Sequence, residues 1–521
     1  MTAPGGRPLP AVLLTVVTVL AAVLGVLVLS QGRDPGAGEP SDVAAAASKS
    51  PPREPSPPPV TQPPASTLLP TATDVPIPTF EPSPSPTLSP PGPDASVGPP
   101  VTGLVPGSVN RSSLAVNATY DVNVALTVFS GVLDVSTTIV ARNDDTRSID
   151  RLELNTVAAR LGRLRVTAAT VDDTPVKVRV DDQTLLVPLG GVLEPGVTTT
   201  VQISYRATLR TGLTGSDWMF TRADGTYALY RWIPWISRAV PFDRPNQGDP
   251  FVTVSSPEVS IELLTDTPLV LAAPATEVAE FAAGSGTAWA FTLRDVRDVA
   301  LVLAPDFELH TDKVGSVTVA SYERSGTFGD SRLIGVTTEA LRAEQRLLGV
   351  DYPWPLLVAV ETQGGEAMES PGQIWIPRTL DSFNRTYLVH HEVAHQWFYG
   401  LLGNDQRAQP FLDEATADQL ARTALGSFRT SRCSRASLDG SIARYKGRCY
   451  YEVVYVQGGR FLDDVRTRIG TNRYWKALAA FVEDHRFEIA KTRQLLDALE
   501  AAAPKGVKLR PLFRERFPSL Y

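Results

Sequence analysis

"VHHEVAHQWFYG", residues 389–400, carries three of the five histidines in a chain of 521 residues. Within it, His391-Glu392-Val393-Ala394-His395 fits H-E-x-x-H. On a helix, positions i and i+4 share a face, so both imidazoles can reach one ion. Zinc favours neutral imidazole nitrogen, and a catalytic zinc takes three protein ligands and leaves a position for water. Glu392 lies just off that face, where its carboxylate can take a proton from such a water. The same pattern arises by chance in roughly a few chains per thousand of this histidine content, so a third ligand is required.

That ligand is expected in "PFLDEATADQLA", residues 410–421, where Glu414 follows His395 with 18 residues between them. The interval lets one helix end, the chain turn through "GNDQRAQP" and a second helix return a carboxylate; Gly403, Asn404 and Pro410 supply the breakers. The expected centre is one Zn²⁺ on His391, His395 and Glu414, with Glu392 as general base. Asp418 stands one helical turn past Glu414 and is the expected acceptor for the second N–H of His391 or His395. A solvated helix charge is the other reading of Asp418. His390 points elsewhere on the helix and reads as packing, while His310 and His485 carry no motif.

Outward from this centre the chain changes character three times. "AVLLTVVTVLAAVLGVLVLS", residues 11–30, has no charge and would span roughly 30 Å as a helix, the thickness of a bilayer core. Residues 1–33 are therefore expected to be a membrane anchor, with a cleaved secretory signal as the alternative. Arg7 ahead of the run favours a cytoplasmic amino terminus, which places the remainder outside the cytoplasm, at the cell surface or secreted after cleavage. No cysteine stands at the end of the run, where a lipoprotein anchor would need one. Residues 34–108 hold 22 of the 44 prolines and read as an extended, disordered linker with no core.

Residues 109–306 alternate with a period of two, as in "TYDVNVALTVFSGVLDVSTTIVARN", and predict an all-β domain. Asp224-Gly225, between two apolar runs, predicts a hairpin. Residues 307–521 mix short strands with helices and predict an α+β domain. The net charge of −7 gives no reason to expect a nucleic-acid partner. Cys433 and Cys449 are the only cysteines; in an exported chain they predict one disulfide more readily than a metal site.

H-E-x-x-H, 18 residues and Glu form the signature of the gluzincin peptidases, and "HEVAHQWF" resembles the aminopeptidase N family. Two further segments match in order. "GGEAMESPG" is similar to that family's Gly-Ala-Met-Glu-Asn segment, and "YVQGGRFLDDVRTRIG" to its Tyr-x-Lys-Gly helix. The resemblance covers about residues 109–521 and implies an all-β domain ahead of a thermolysin-like catalytic domain. It implies zinc on the three ligands above and Tyr455 as the phenol that stabilises the oxyanion. It implies Glu369 as the carboxylate that binds the α-amine of a peptide substrate, with Gly365 and Ala367 beside it.

The departures are specific. Glu366 and Ser370 replace the family's glycine and asparagine, Gln457 replaces its lysine, and "YALYRWIPWISRAVPFDRPNQG" differs throughout. An extra carboxylate at Glu366 is expected to reshape the substrate subsite or strengthen amine binding. With few residues after the catalytic domain, a cleft open to longer peptides is expected. Tyr450 and Tyr451 compete with Tyr455 for the oxyanion role. The expected activity is a zinc aminopeptidase; an open-cleft endopeptidase and a non-catalytic surface protein are the alternatives.

Overall fold

The computed structural model describes residues 103–328 and 332–521. The expected anchor at residues 1–33 and the linker up to residue 102 lie outside the described residues. Among the described residues, no helix is long and apolar enough to cross a membrane.

The period of two becomes sheet. Strand Val116–Thr127 turns Val116, Ala118, Tyr120, Val122, Val124 and Leu126 inward and leaves the residues between them at the surface. It pairs antiparallel with Val132–Asn143 and parallel with Ser256–Thr265 at the centre of an eight-stranded sheet. Two four-stranded sheets complete this β-rich region. The predicted hairpin joins Phe220–Ala223 to Thr226–Leu229. Its turn needs positive φ at both central residues, and Asp224 and Gly225 adopt 52° and 75°.

Leu301–Ala304 is a strand of the β-rich region, and Glu308–Val314 opens a mixed five-stranded sheet. That sheet runs Glu308–Val314, Val317–Glu323, Leu356–Thr362, Gln373–Pro377, Met368–Ser370. Its inner strands are covered on both faces, which explains their unbroken apolar runs. Val358, Val360, Met368 and Trp375 join the core of the β-rich region. Leu357, Ala359, Ile374 and Ile376 join a second core beneath the helices. The sheet thus cements the two regions, with the short edge strand Met368–Ser370 antiparallel to its neighbour. Cys433 and Cys449 are bonded and close a loop before the residue run that holds Tyr455.

Candidate active site

Helix Ser382–Ala394 starts at Asp381, whose side chain accepts from the Asn384 N–H, and runs through His391 and Glu392. His395 closes it. Its Nδ1–H donates to the Phe398 carbonyl at 3.0 Å, which leaves Nε2 as the free lone pair. Gln396, the next residue, pins the sheet edge to the helix end. It accepts from Gly372 N–H at 2.8 Å and donates to the Ser370 carbonyl at 3.0 Å. Glu369 sits on that edge strand, so its carboxylate arrives beside the histidines.

Glu414 comes from a π-helical turn, Phe411–Ala415, which leads into helix Thr416–Leu425. Tyr455 also lies in a π-helical turn, Glu452–Gln457, ahead of helix Gly458–Ile469. Such turns occur frequently at functional sites. The two turns meet closely because Gly458 has no side chain: a Cβ there would approach Ala415 Cβ to 2.6 Å.

Three lone-pair atoms converge. His391 Nε2 is 3.2 Å from Glu414 Oε2 and 3.1 Å from His395 Nε2, and the remaining pair is 3.4 Å apart. Ligands bound tetrahedrally at about 2.0–2.1 Å stand about 3.3 Å from one another, so this triangle has the dimensions of a zinc site. All three residues are buried. Burial alone would raise the Glu414 carboxyl, but the two imidazoles beside it, whenever they carry a proton on Nε2, favour its charged form and hold it at about 2.

A second group overlaps the first: ligand atoms of Glu369, Glu392 and His395 lie within 4.8 Å of one another. Burial pushes the Glu392 carboxyl well up, and its Oε2 has no partner among the described residues. A buried carboxylate oxygen without a partner is costly unless something arrives to use it. Burial also pushes Glu369 up to about 7. Gln406 donates to its Oε1 at 2.9 Å, and Arg231 donates to Gln406 at 3.2 Å. The Tyr455 ring stacks on His391 with centroids 5.2 Å apart.

His391, His395, Glu414, Glu392, Glu369 and Tyr455 line one pocket of about 230 Å³, with Gly365, Glu366, Ala367, Tyr450 and Tyr451 beside them. Arg244, Asn246, Gln247 and Asp249 of the β-rich region also line it. Sequence reasoning missed Arg244, Asp249, Gln406 and Arg231, because no local pattern marks residues brought together from remote segments.

Two expectations need correction. Asp418 does not hold a zinc-site histidine. It accepts from Tyr387 O–H at 2.6 Å and from Arg422 Nε at 2.8 Å, while His391 Nδ1 has no partner among the described residues. The expectation overlooked Arg422, one turn further along the same helix, and Tyr387, one turn before His391; together they occupy the carboxylate. Of the two roles expected for Glu366, its pairing with Arg244 at 3.2 Å speaks against added amine binding and leaves the reshaping of the subsite, whose wall it lines. His390 fits its reading as packing: it bonds Glu344 at 3.1 Å, and both side chains are buried. Tyr451 is committed to Arg422 and Tyr387, whereas the Tyr450 hydroxyl is buried without a partner among the described residues.

Two histidines one helical turn apart, a glutamate from the turn that opens the next helix and a mixed sheet edge beside them reproduce the ligand arrangement that the gluzincin signature implies. Comparison with known proteins agrees with the aminopeptidase N resemblance of its sequence motifs. The chain is 24% identical over 208 residues to "Aminopeptidase 2, mitochondrial" of Saccharomyces cerevisiae, a match covering 33% of this chain and 22% of that protein. It is 23% identical over 206 residues to "Aminopeptidase M1" of Arabidopsis thaliana, covering 33% and 23%. The matches thus span about a quarter of these relatives' length. The fold is shared with the M1 zinc metallopeptidase of Deinococcus radiodurans, at 18% identity and a TM-score of 0.60 over 74% of this chain and 91% of that one. A substituted form of that enzyme, bound to a Tyr-Ser-Ala substrate, aligns at 18% identity and a TM-score of 0.61, covering 77% and 93%. No family model matches the chain.

Proposed function

We propose that the protein is a zinc-dependent aminopeptidase that hydrolyses the first peptide bond of peptides. The observation that carries this reading is one pocket holding both the His391–His395–Glu414 triangle and two further carboxylates, Glu392 and Glu369. Zn²⁺ in that triangle would supply Lewis acidity toward the scissile carbonyl and activate the attacking water. Glu392 takes the water's proton on its unpartnered Oε2 and passes it to the departing amine. Tyr455, held against His391, offers its phenol O–H where the oxyanion forms. Glu369 accepts from the substrate's α-ammonium and so counts one residue from the chain end.

The same reading places the enzyme outside the cytoplasm. The uncharged run at residues 11–30 supports an anchor or leader, and the Cys433–Cys449 bond suits an oxidising compartment. The likeness to plant and yeast aminopeptidases and to a zinc metallopeptidase of the same fold supports the zinc and the peptidase chemistry.

The test compares matched peptides with free and acetylated amino termini, in wild type and Glu392→Gln. We expect cleavage of the free peptide only, lost on chelation and reduced about 10³-fold in Glu392→Gln with zinc retained. Equal cleavage of both peptides would favour an endopeptidase. Zinc without turnover would favour a binding protein.

A further inference from the structure

Residues 237–255, between strands Trp235–Ile236 and Ser256–Thr265, form neither helix nor strand. Long irregular connections of this kind are usually functional. This one is fixed on both sides of the cleft. On one lip, Arg244 Nη2 donates to Asp249 at 3.0 Å, to the Gln247 carbonyl at 3.0 Å and to Glu366 at 3.2 Å. On the other lip, Asn246 Nδ2 donates to the Ile442 carbonyl at 2.6 Å and to the Tyr445 carbonyl. Both carbonyls belong to the loop closed by Cys433 and Cys449.

Gly248 shows how tightly the segment is seated. A Cβ there would meet Tyr450 Cζ at 2.7 Å and Ile442 Cγ2 at 2.8 Å. Farther out, Arg238 donates to Asp405 at 2.8 and 2.9 Å, and Arg407 donates to Asp243 at 3.1 Å. Arg244, Asn246, Gln247 and Asp249 line the same pocket as Glu369. The segment is a strap drawn across the cleft from the Glu366 lip to the disulfide-closed loop.

We propose that this strap is the blind end of the pocket and a specificity determinant in its own right. It stops any residue from preceding the substrate's first one, independently of the charge interaction at Glu369. This rests on the aminopeptidase reading and deepens it: the substrate class becomes peptides whose first residue ends against residues 244–249.

The experiment uses two peptides that share a scissile bond, one with a free amine and one extended by a single acetylated residue. Strap contacts are loosened in three ways: Asn246→Ala, Cys433→Ser with Cys449→Ser, and Arg238→Ala with Arg407→Ala. Zinc content and thermal unfolding identify the variants that fold, and limited proteolysis within residues 237–255 reports loosening. We expect wild type to cleave only the free peptide. A loosened variant should raise kcat/KM for the extended peptide relative to the free one by about tenfold or more, by creating cleavage of the extended peptide. Glu369→Ala, with the strap intact, should instead lower kcat/KM for the free peptide and leave the extended one uncleaved. Variants that fold and loosen but leave the ratio unmoved would overturn the strap's role and leave selection to Glu369. Wild type cleaving both peptides equally would overturn this inference and the aminopeptidase reading together.

Discussion

Helix Ser382–Ala394 and the strap at residues 237–255 contribute to the same pocket, and they are built on opposite principles. The helix is regular and capped, and its period places His391 and Glu392, with His395 at its close. The strap has no period, and partners from remote parts of the chain hold it, among them Asp405, Glu366 and Ile442. A local repeat fixes side chains to within the tolerance a metal needs. Long-range ties fix only where a wall stands, which suffices to exclude a substrate. The chemistry should therefore fail steeply when the helix side is altered, and selection should shift gradually when the strap is altered.

The steepest failure should come from His395→Ala. It removes one ligand and the Phe398 tether together, and leaves a buried His391–Glu414 pair. Turnover should fall by about 10⁴-fold or more, and zinc measured by atomic absorption should drop from stoichiometric to undetectable. Stoichiometric zinc in this variant would move the metal away from the triangle, and the contrast drawn above would collapse.

A smaller effect should follow Tyr455→Phe. The ring still stacks on His391, so zinc and folding should persist, while the hydroxyl donor is lost. We expect kcat to fall about 10²- to 10³-fold with KM little changed. A loss below about fivefold would remove Tyr455 from the chemistry and transfer the role to Tyr450, whose hydroxyl is buried without a partner among the described residues.

What was legible in the sequence follows the same division. The alternation of Val116–Thr127 and the four-residue spacing of His391 and His395 are local periods, and both appear as expected. Glu414 was legible because a fixed interval of 18 residues to a carboxylate is itself a pattern. The partners of Asp418 were not legible, because Tyr387 lies 31 positions earlier on another helix and an i,i+4 arginine such as Arg422 reads equally well as a solvated surface pair. Glu366 was read as an added charge because its partner, Arg244, lies 122 positions earlier in a segment without periodicity. Arg231 and Gln406, 175 positions apart, reach Glu369 by the same non-local route.

The smallest effect should come from Arg244→Lys, and it probes the strap most directly. The guanidinium reaches Asp249, Glu366 and the Gln247 and Gly248 carbonyls together, because its planar fork spreads donors over several directions. An ammonium is a single point with three donors and cannot span both the strap's own turn and the Glu366 lip. Asp249 is the more deeply buried carboxylate, at 7% side-chain exposure against 26% for Glu366, so the lysine should stay with Asp249 and release Glu366 to water. The strap would then keep its tie to Ile442 and lose its tie to the opposite lip. Preference for the free-amine peptide over the extended one should weaken by about three- to tenfold, with zinc content unchanged because none of the three ligands touches Arg244. A loss of zinc instead would mean that strap and helix form one unit, and that the division between chemistry and selection does not hold in this protein.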